Sequence, residues 1–460
     1  KCADYNNDGW MDILIPRGAW WNDFGKLPAS LIRNNGDGTF TDVTYETGLM
    51  EHLYPTQASV FADFNNDGWL DIYFGNETRR DTEKYPCELF LSDGKGKFKN
   101  VAKEAGADIL CFAKGVAASD YNNDGYMDIC ISSQGTENIL LRNDTGKNSG
   151  KIKFTDVTKE AGVGLPIKSF PVAFLDFNND GWQDLTIQTY DAENCDYDNA
   201  AEYFNKPVKG EYSILYKNNG DGTFTDITKE MNMQVAMTVM GLSFGDLDND
   251  GWMDIYSGTG TPNYTSLVPK RMFRNNEGKS YQDITHSGGF GHLQKGHGIG
   301  FGDVDNDGDQ DVYEDMGGGY EGDGFQGAFY ENPGISGNNW VSLQLVGVKA
   351  NKSAMGSKVK ITVENADKST RDIYVEVTNG GSFGVNSNRL EAGLGKAVAI
   401  KAIEINWLGP NQKQIITGVP MNSFVKITEG EAAFEILPLK CYKFAAMPMD
   451  TMMMHHGHQM

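Results

Sequence analysis

Six short segments of this chain place oxygen-bearing side chains at alternate positions, the spacing that wraps a hard cation. They are Asp4 to Asp12 (DYNNDGWMD), Asp63 to Asp71 (DFNNDGWLD), Asp120 to Asp128 (DYNNDGYMD), Asp176 to Asp184 (DFNNDGWQD), Asp246 to Asp254 (DLDNDGWMD) and Asp303 to Asp311 (DVDNDGDQD). Positions one, three, five and nine of each offer Asp or Asn oxygen. Position six is Gly, which permits a sharp turn, and position seven offers its backbone carbonyl. The donors of the first loop are Asp4, Asn6, Asp8, Trp10 and Asp12, and those of the second are Asp63, Asn65, Asp67, Trp69 and Asp71. The third loop offers Asp120, Asn122, Asp124, Tyr126 and Asp128, and the fourth Asp176, Asn178, Asp180, Trp182 and Asp184. The fifth offers Asp246, Asp248, Asp250, Trp252 and Asp254, and the sixth Asp303, Asp305, Asp307, Asp309 and Asp311. Such sets suit calcium, about six ions in all, held structurally because bare clustered carboxylates repel one another. Position twelve is Ile15, Phe74, Ile131, Ile187, Ser257 and Glu314 in turn, so only the last copy has the closing Glu of an EF-hand. The flanks alternate as strands do, which excludes the helical EF-hand and leaves a β-hairpin closed by the ninth-position Asp.

Two other places could bind metal. The tail MPMDTMMMHHGHQM carries Met447, Met449, Met452, Met453, Met454 and Met460 with His455, His456 and His458. Thioether and imidazole suit copper, so copper is expected there, the alternative being an extension without a ligand. His297 precedes the sixth loop, and Glu314, Asp315 and Tyr320 follow it. A hairpin around the loop is expected to set Gly300 opposite Glu314 and His297 near Gly317, where a polar ligand or second metal could sit, although satisfied loop residues are the blander reading. No Ser-His-Asp order and no phosphate-cradling Gly loop stands out, and no paired acids are singled out. The reading therefore leans away from an enzyme, with a site in the mouth of the fold as the alternative.

The loops recur at a period near 57 residues, lengthened once to 70. Each after the first is preceded by a small, apolar segment such as Gly115 to Ser119, and each is followed by another strand-like segment such as Met127 to Ser132. A second motif comes later: LIRNNGDGTFTDVT from Leu31, LYKNNGDGTFTDIT from Leu215, and kin. Each repeat reads as four short strands, which is a propeller blade. The fold class is all-β: a β-propeller with six visible blades, closing as six or seven, plus a small C-terminal β-sandwich-like domain. The expected division is 1–336 for the calcium-binding propeller, 337–430 for the second β domain and 431–460 for the extension with its Met/His tail. Every later loop has a full strand before it, whereas the first follows Lys1-Cys2-Ala3 directly, so residues upstream are expected.

With 40 basic against 63 acidic residues the formal net charge is −23, which excludes a nucleic-acid partner and an anionic membrane surface. No apolar run is long enough for a membrane span. The six cysteines at 2, 87, 111, 130, 195 and 441 allow up to three disulfides of undecided pairing, or simple burial of Cys111 and Cys130.

The Asp loops with their following strands resemble FG-GAP/VCBS repeats, as in the integrin α propeller. The segments NNWVSLQLVGVKANKSAMGSKVKI, GGSFGVNSNRLEAGLG and IEINWLGPNQKQIITGVP between Asn338 and Gly430 resemble the ASPIC/UnbV domain. Together they look like the bacterial relatives of cartilage acidic protein. The resemblance implies a calcium-binding module that is extracellular, on the cell surface or periplasmic, and serves adhesion or ligand binding without catalysis. A structural subunit of a surface layer or filament, self-assembling, is the alternative.

A partner is expected on the face opposite the loops, where the repeats differ most. There Trp20, Trp21, Tyr197, Tyr203, His297 and Tyr320 form the candidate ligand face, suited to an extracellular glycan or protein. For Trp20 and Trp21 the blander alternative is packing under their own loop.

Overall fold

In each repeat the sequence alternates short β-prone runs with Asn, Asp and Gly turns, and the chain folds accordingly into antiparallel four-stranded units. The computed structural model describes residues 1–263, 266–318, 325–334, 336–378, 380–409 and 412–444. The copper candidates Met447 to Met460 and the ligand-face residue Tyr320 lie outside the described residues.

Five sheets are simple meanders in chain order. The first joins Cys2–Ala3, Asp12–Ile15, Ser30–Asn34 and Phe40–Asp42; the second joins Thr56–Ala62, Asp71–Asn76, Glu88–Ser92 and Phe98–Asn100. The third holds Ala113–Ser119, Asp128–Ser133, Ile139–Asn143 and Phe154–Asp156, and the fourth Ser169–Leu175, Asp184–Thr189, Ile214–Asn218 and Phe224–Asp226. The fifth holds Val239–Gly245, Asp254–Thr259, Arg271–Asn275 and Tyr281–Asp283. The sixth has Gly296–Gly302, Asp311–Met316 and Ala328–Tyr330, and its fourth strand comes from far down the chain: Gly384–Asn386 pairs parallel with Gly296–Gly302. The long insertion of the fourth repeat contains a helix, Cys195–Tyr203, where the sequence reading saw only a loop.

Each pair of consecutive sheets shares an apolar cluster. Ala3, Leu14, Phe61 and Ile72 bind the first to the second; Ala58, Tyr73, Val116 and Ile131 bind the second to the third. Cys130, Val172 and Ile187 serve the third and fourth, Leu175, Leu242 and Ile255 the fourth and fifth, and Tyr256, Ile299 and Val312 the fifth and sixth. Between the sixth sheet and the first lies instead a cavity of about 740 Å³, lined by Cys2, Met11, Tyr313, Val385, Arg389 and others. The difference shows in exposure: the second strands of sheets two to five are buried throughout, whereas Asp311–Met316 exposes Tyr313 and Asp12–Ile15 exposes Ile15.

Two further sheets lie behind. One orders Leu390–Gly395, Asn339–Val346, Phe424–Thr428 and Phe434–Leu437; the other Thr370–Glu376, Lys358–Glu364, Ala399–Trp407 and Gln412–Ile416. They enclose one core of Val341, Leu343, Ile361, Ile403, Ile405 and Val425, all essentially without exposure. No helix among the described residues is long and apolar enough to cross a membrane.

Candidate functional site

The six Asp loops connect the first strand of each sheet to its second, and all six adopt one backbone path. The fourth residue, always Asn, is left-handed: φ is 57° at Asn7, 59° at Asn66, 57° at Asn123, 54° at Asn179, 54° at Asn249 and 61° at Asn306. Asn tolerates that conformation better than other side-chain-bearing residues, which accounts for its recurrence. The same side chains link one loop to the next. Asn7 Nδ2 donates to Gly68 O at 3.1 Å, Asn66 to Gly125 O at 2.9 Å and Asn123 to Gly181 O at 3.3 Å. Asn179 donates to Gly251 O at 2.7 Å and Asn249 to Gly308 O at 3.0 Å. A second set of stitches comes from the third strands: Asn143 Nδ2 donates to Phe64 O, Asn218 to Tyr121 O and Asn275 to Phe177 O, each at 2.8 Å. Sequence reasoning assigned these asparagines no role, although their invariance within the repeat was a readable signal.

Within a loop the first Asp is fixed by backbone amides. Asp63 accepts from Asp67 N at 3.1 Å and Gly68 N at 2.8 Å. The ninth accepts from both sides: Asp71 takes Phe64 N at 3.0 Å and Ser92 N, on the third strand, at 2.8 Å. The equivalent pair holds at Asp12, Asp128, Asp184, Asp254 and Asp311. The third-position Asn of the first four loops donates to the fifth-position Asp, as Asn6 does to Asp8 at 2.8 Å, and its own oxygen accepts from that residue's amide, as Asn6 Oδ1 does from Asp8 N at 3.2 Å. Aromatic residues at position seven have a packing role besides their carbonyls: the rings of Trp10, Trp69, Tyr126, Trp182 and Trp252 lie against Gly36, Gly94, Gly146, Gly220 and Gly278, in the turn after the third strand.

These carboxylates are crowded and poorly solvated. Burial first, then neighbouring carboxylates, push Asp63 and Asp176 up to about 7 and Asp12 to about 6. Asp71, Asp128 and Asp254 are raised well above the usual range by the same causes. In the fifth loop Asp246, Asp248 and Asp254 bring carboxylate oxygens within 4.8 Å of one another, as do Asp303, Asp305 and Asp307 in the sixth. Asp248 Oδ1 and Asp309 Oδ1 are buried with no hydrogen-bond partner. Convergent hard oxygens, buried orphan lone pairs and mutual repulsion fit a divalent hard cation such as Ca²⁺. The fifth loop differs in one respect: Arg274 Nε lies 2.7 Å from Asp248 Oδ2 and supplies a fixed positive charge there.

The connections from second to third strands emerge at the opposite edge, because successive strands are antiparallel. Trp21 is 65% exposed and Tyr203 83% exposed, and Tyr197 is about half exposed beneath the Lys209 ammonium. Trp20 is placed differently. Its ring stacks on Phe170 and packs against Phe112 and Tyr190, and it covers Lys114 with the ammonium 3.2 Å from its centroid. Lys114 is fully buried and ion-paired with Glu77, and burial pulls it down to about 7. The reading of the sequence missed this residue; a Lys within the small, apolar strand AKGVAAS was the available sign.

Around the sixth loop the expected register is off by one. Glu314 pairs with Ile299 and Gly300 with Tyr313, in register with Gly302 opposite Asp311 across the loop; farther along, the strand bulges between Gly296 and Ile299, and His297 lies in that bulge. Glu314 is buried, 2.9 Å from the Tyr256 hydroxyl that donates to it and 3.6 Å from the Lys270 ammonium. Burial raises it to about 7 against the pull of Lys270. It is thus held in the interior, whereas Asp315 lines an apolar cavity of about 380 Å³ with Lys1, Gln57, Gly298 and Phe383.

The segment around GGSFGVNSNR makes contacts that no local pattern of residues foretells. It leaves the C-terminal sheets and threads among the first strands of the others. Ser382 Oγ accepts from Val172 N at 2.8 Å, Asn386 Nδ2 donates to Phe244 O at 2.8 Å, and Phe383 packs edge-on to Phe170. Arg389 donates to Asp303 O at 2.7 Å and so reaches the sixth loop.

Comparison with known proteins matches FG-GAP-like repeats to residues 4–74, 120–187 and 208–257, and the ASPIC and UnbV domain to residues 347–434. Cartilage acidic protein 1 of Homo sapiens is 28% identical over 291 residues, covering 60% of this chain and 39% of that protein. The Mus musculus protein of the same name is 26% identical over 294 residues, covering 61% and 40%. The chain therefore spans about two fifths of the length of these curated relatives. The crystal structure of the V. cholerae biofilm matrix protein Bap1 overlays 84% of this chain and 61% of its own at 10% identity, with a TM-score of 0.33, too low to bear on the fold.

Proposed function

This chain carries FG-GAP-like repeats with an ASPIC and UnbV domain behind them and is a homologue of cartilage acidic protein 1, and we propose that it acts as a calcium-stabilised extracellular binding or adhesion module. In this reading the six sheets stand radially as propeller blades, and the segment 380–389 plugs their centre. Calcium is structural: it neutralises the Asp loops and tightens the chain of Asn links from one blade to the next. The observation that carries the reading is the contrast between the two edges. One edge repeats the same oxygen-rich loop six times, while the other bears divergent connections with exposed Trp21, Tyr197 and Tyr203. A rigid scaffold with variable aromatic loops suits stacking on a glycan or a peptide.

Calcium titration by calorimetry, paired with glycan and extracellular-matrix arrays read with and without chelator, tests this. Saturable binding of several ions, together with an array signal that falls on chelation, is expected. Absence of calcium binding would remove the structural-ion part. Array binding lost on replacing loop aspartates in a protein that keeps its calcium and its melting temperature would move the ligand site to the other edge.

A further inference from the structure

Two of the six cysteines meet at the junction of the second and third sheets. Cys87 lies between the strands Asp71–Asn76 and Glu88–Ser92, and Cys111 leads into Ala113–Ser119. Backbone pairing fixes both positions. Cys87 N donates to Ile109 O at 2.9 Å, Thr78 N donates to Cys111 O at 2.9 Å, and Glu77 bridges Phe112. Both side chains are buried, at 1% and 6% exposure, in the one apolar cluster shared by these sheets. Their sulfurs lie within hydrogen-bonding reach of each other, with the Tyr73 hydroxyl at Cys87 and the Ser133 hydroxyl at Cys111. Cys130 belongs to a different cluster, Cys195 opens the helix of the fourth repeat, and Cys441 is exposed near the far end of the described chain.

We propose that Cys87 and Cys111 form a disulfide when the chain folds in an oxidising compartment, locking the second sheet to the third. The pairing rests on this geometry; that the compartment is oxidising rests on the extracellular reading above. The oxidant is a low-molecular-weight disulfide such as glutathione disulfide. The Cys87 thiolate attacks one of its sulfurs, forming a mixed disulfide and releasing one glutathione as thiolate. Cys111 gives up its proton and attacks the Cys87 sulfur, forming the protein disulfide and releasing the second glutathione. Two electrons and two protons leave the protein thiols and appear on two molecules of glutathione. Burial of both sulfurs means that exchange takes place as the chain folds, and that the finished bond is shielded from reductant.

The test is refolding of the reduced, denatured chain with calcium in a mixture of reduced and oxidised glutathione. Alkylation under denaturing conditions and peptide mass mapping follow. Protein exported to the periplasm of the expression host serves where refolding yields no soluble material. The expected product is a cross-linked pair of peptides containing Cys87 and Cys111, lighter by two hydrogens than the reduced pair, with Cys2, Cys130, Cys195 and Cys441 alkylated. C130S should leave this pattern intact. Recovery of folded protein with Cys87 and Cys111 both alkylated, or with either joined to another cysteine, overturns the proposal. Calcium binding measured on the same samples separates the two readings: a bond without calcium binding sinks the function, and calcium binding without the bond sinks the disulfide.

Discussion

Consider the protein stripped of calcium by a metal-scavenging resin and melted at about pH 5 and about pH 8. Asp63 in the second loop and Asp176 in the fourth are each pushed up to about 7, burial being the largest cause, against about 3.9 in an unfolded chain. Between those values the folded state keeps a proton that the unfolded state has lost. Stability therefore falls as pH rises through the window and is least above about pH 7. For one such group the loss from pH 5 to pH 8 is about 2.5 kcal/mol, and two groups in separate loops add to about 5 kcal/mol. With an unfolding entropy of about 2.1 cal/mol/K per residue, the 460-residue chain shifts by about 5 °C. Metal-free protein should thus melt about 5 °C higher at pH 5 than at pH 8. Saturating calcium should reverse that order, because the ion requires the deprotonated carboxylates. Scanning calorimetry in matched buffers reads the shift, and the pair D63N/D176N should remove the share that these two groups contribute. A metal-free protein that melts higher at pH 8, or the same pH profile with and without calcium, would refute the reasoning.

Chelation at neutral pH should lower the melting temperature, since each occupied site contributes about 1.4 kcal/mol at a tenfold excess of ion over Kd; a melt unchanged by added calcium contradicts this. Asn218→Ala should cost about 3–5 kcal/mol in urea unfolding, because it strips buried Tyr121 O and Gln183 O of their donor, whereas Asn219→Ala in the turn should stay within about 1 kcal/mol. Trp20→Ala should destabilise by about 2–3 kcal/mol by uncovering Lys114, whereas Tyr203→Ala, at 83% exposure, should leave melting unchanged and weaken array binding. Truncation after Phe444 should abolish tight copper binding by isothermal titration and leave the melt as it was.

The sequence by itself determined whatever is local and repeated. Asp and Asn oxygens two residues apart, with Gly at the turn, dictate the metal-type loop, and alternating short β runs on either side dictate the hairpin that carries it. Even the Asn at position four, left unread, is a local demand for a left-handed residue. Only the tertiary structure decided what depends on distant parts of the chain meeting. Strand pairing of Gly384–Asn386 with Gly296–Gly302 joins segments with no common pattern. The burial of Lys114 under Trp20 brings together residues from different repeats, each polar or aromatic and equally at home on a surface. The bulge between Gly296 and Ile299 interrupts a pairing that alternation alone would continue. The pairing of Cys87 with Cys111 is of the same kind: spacing leaves every connectivity open, and only the packing of two neighbouring sheets brings those two sulfurs together.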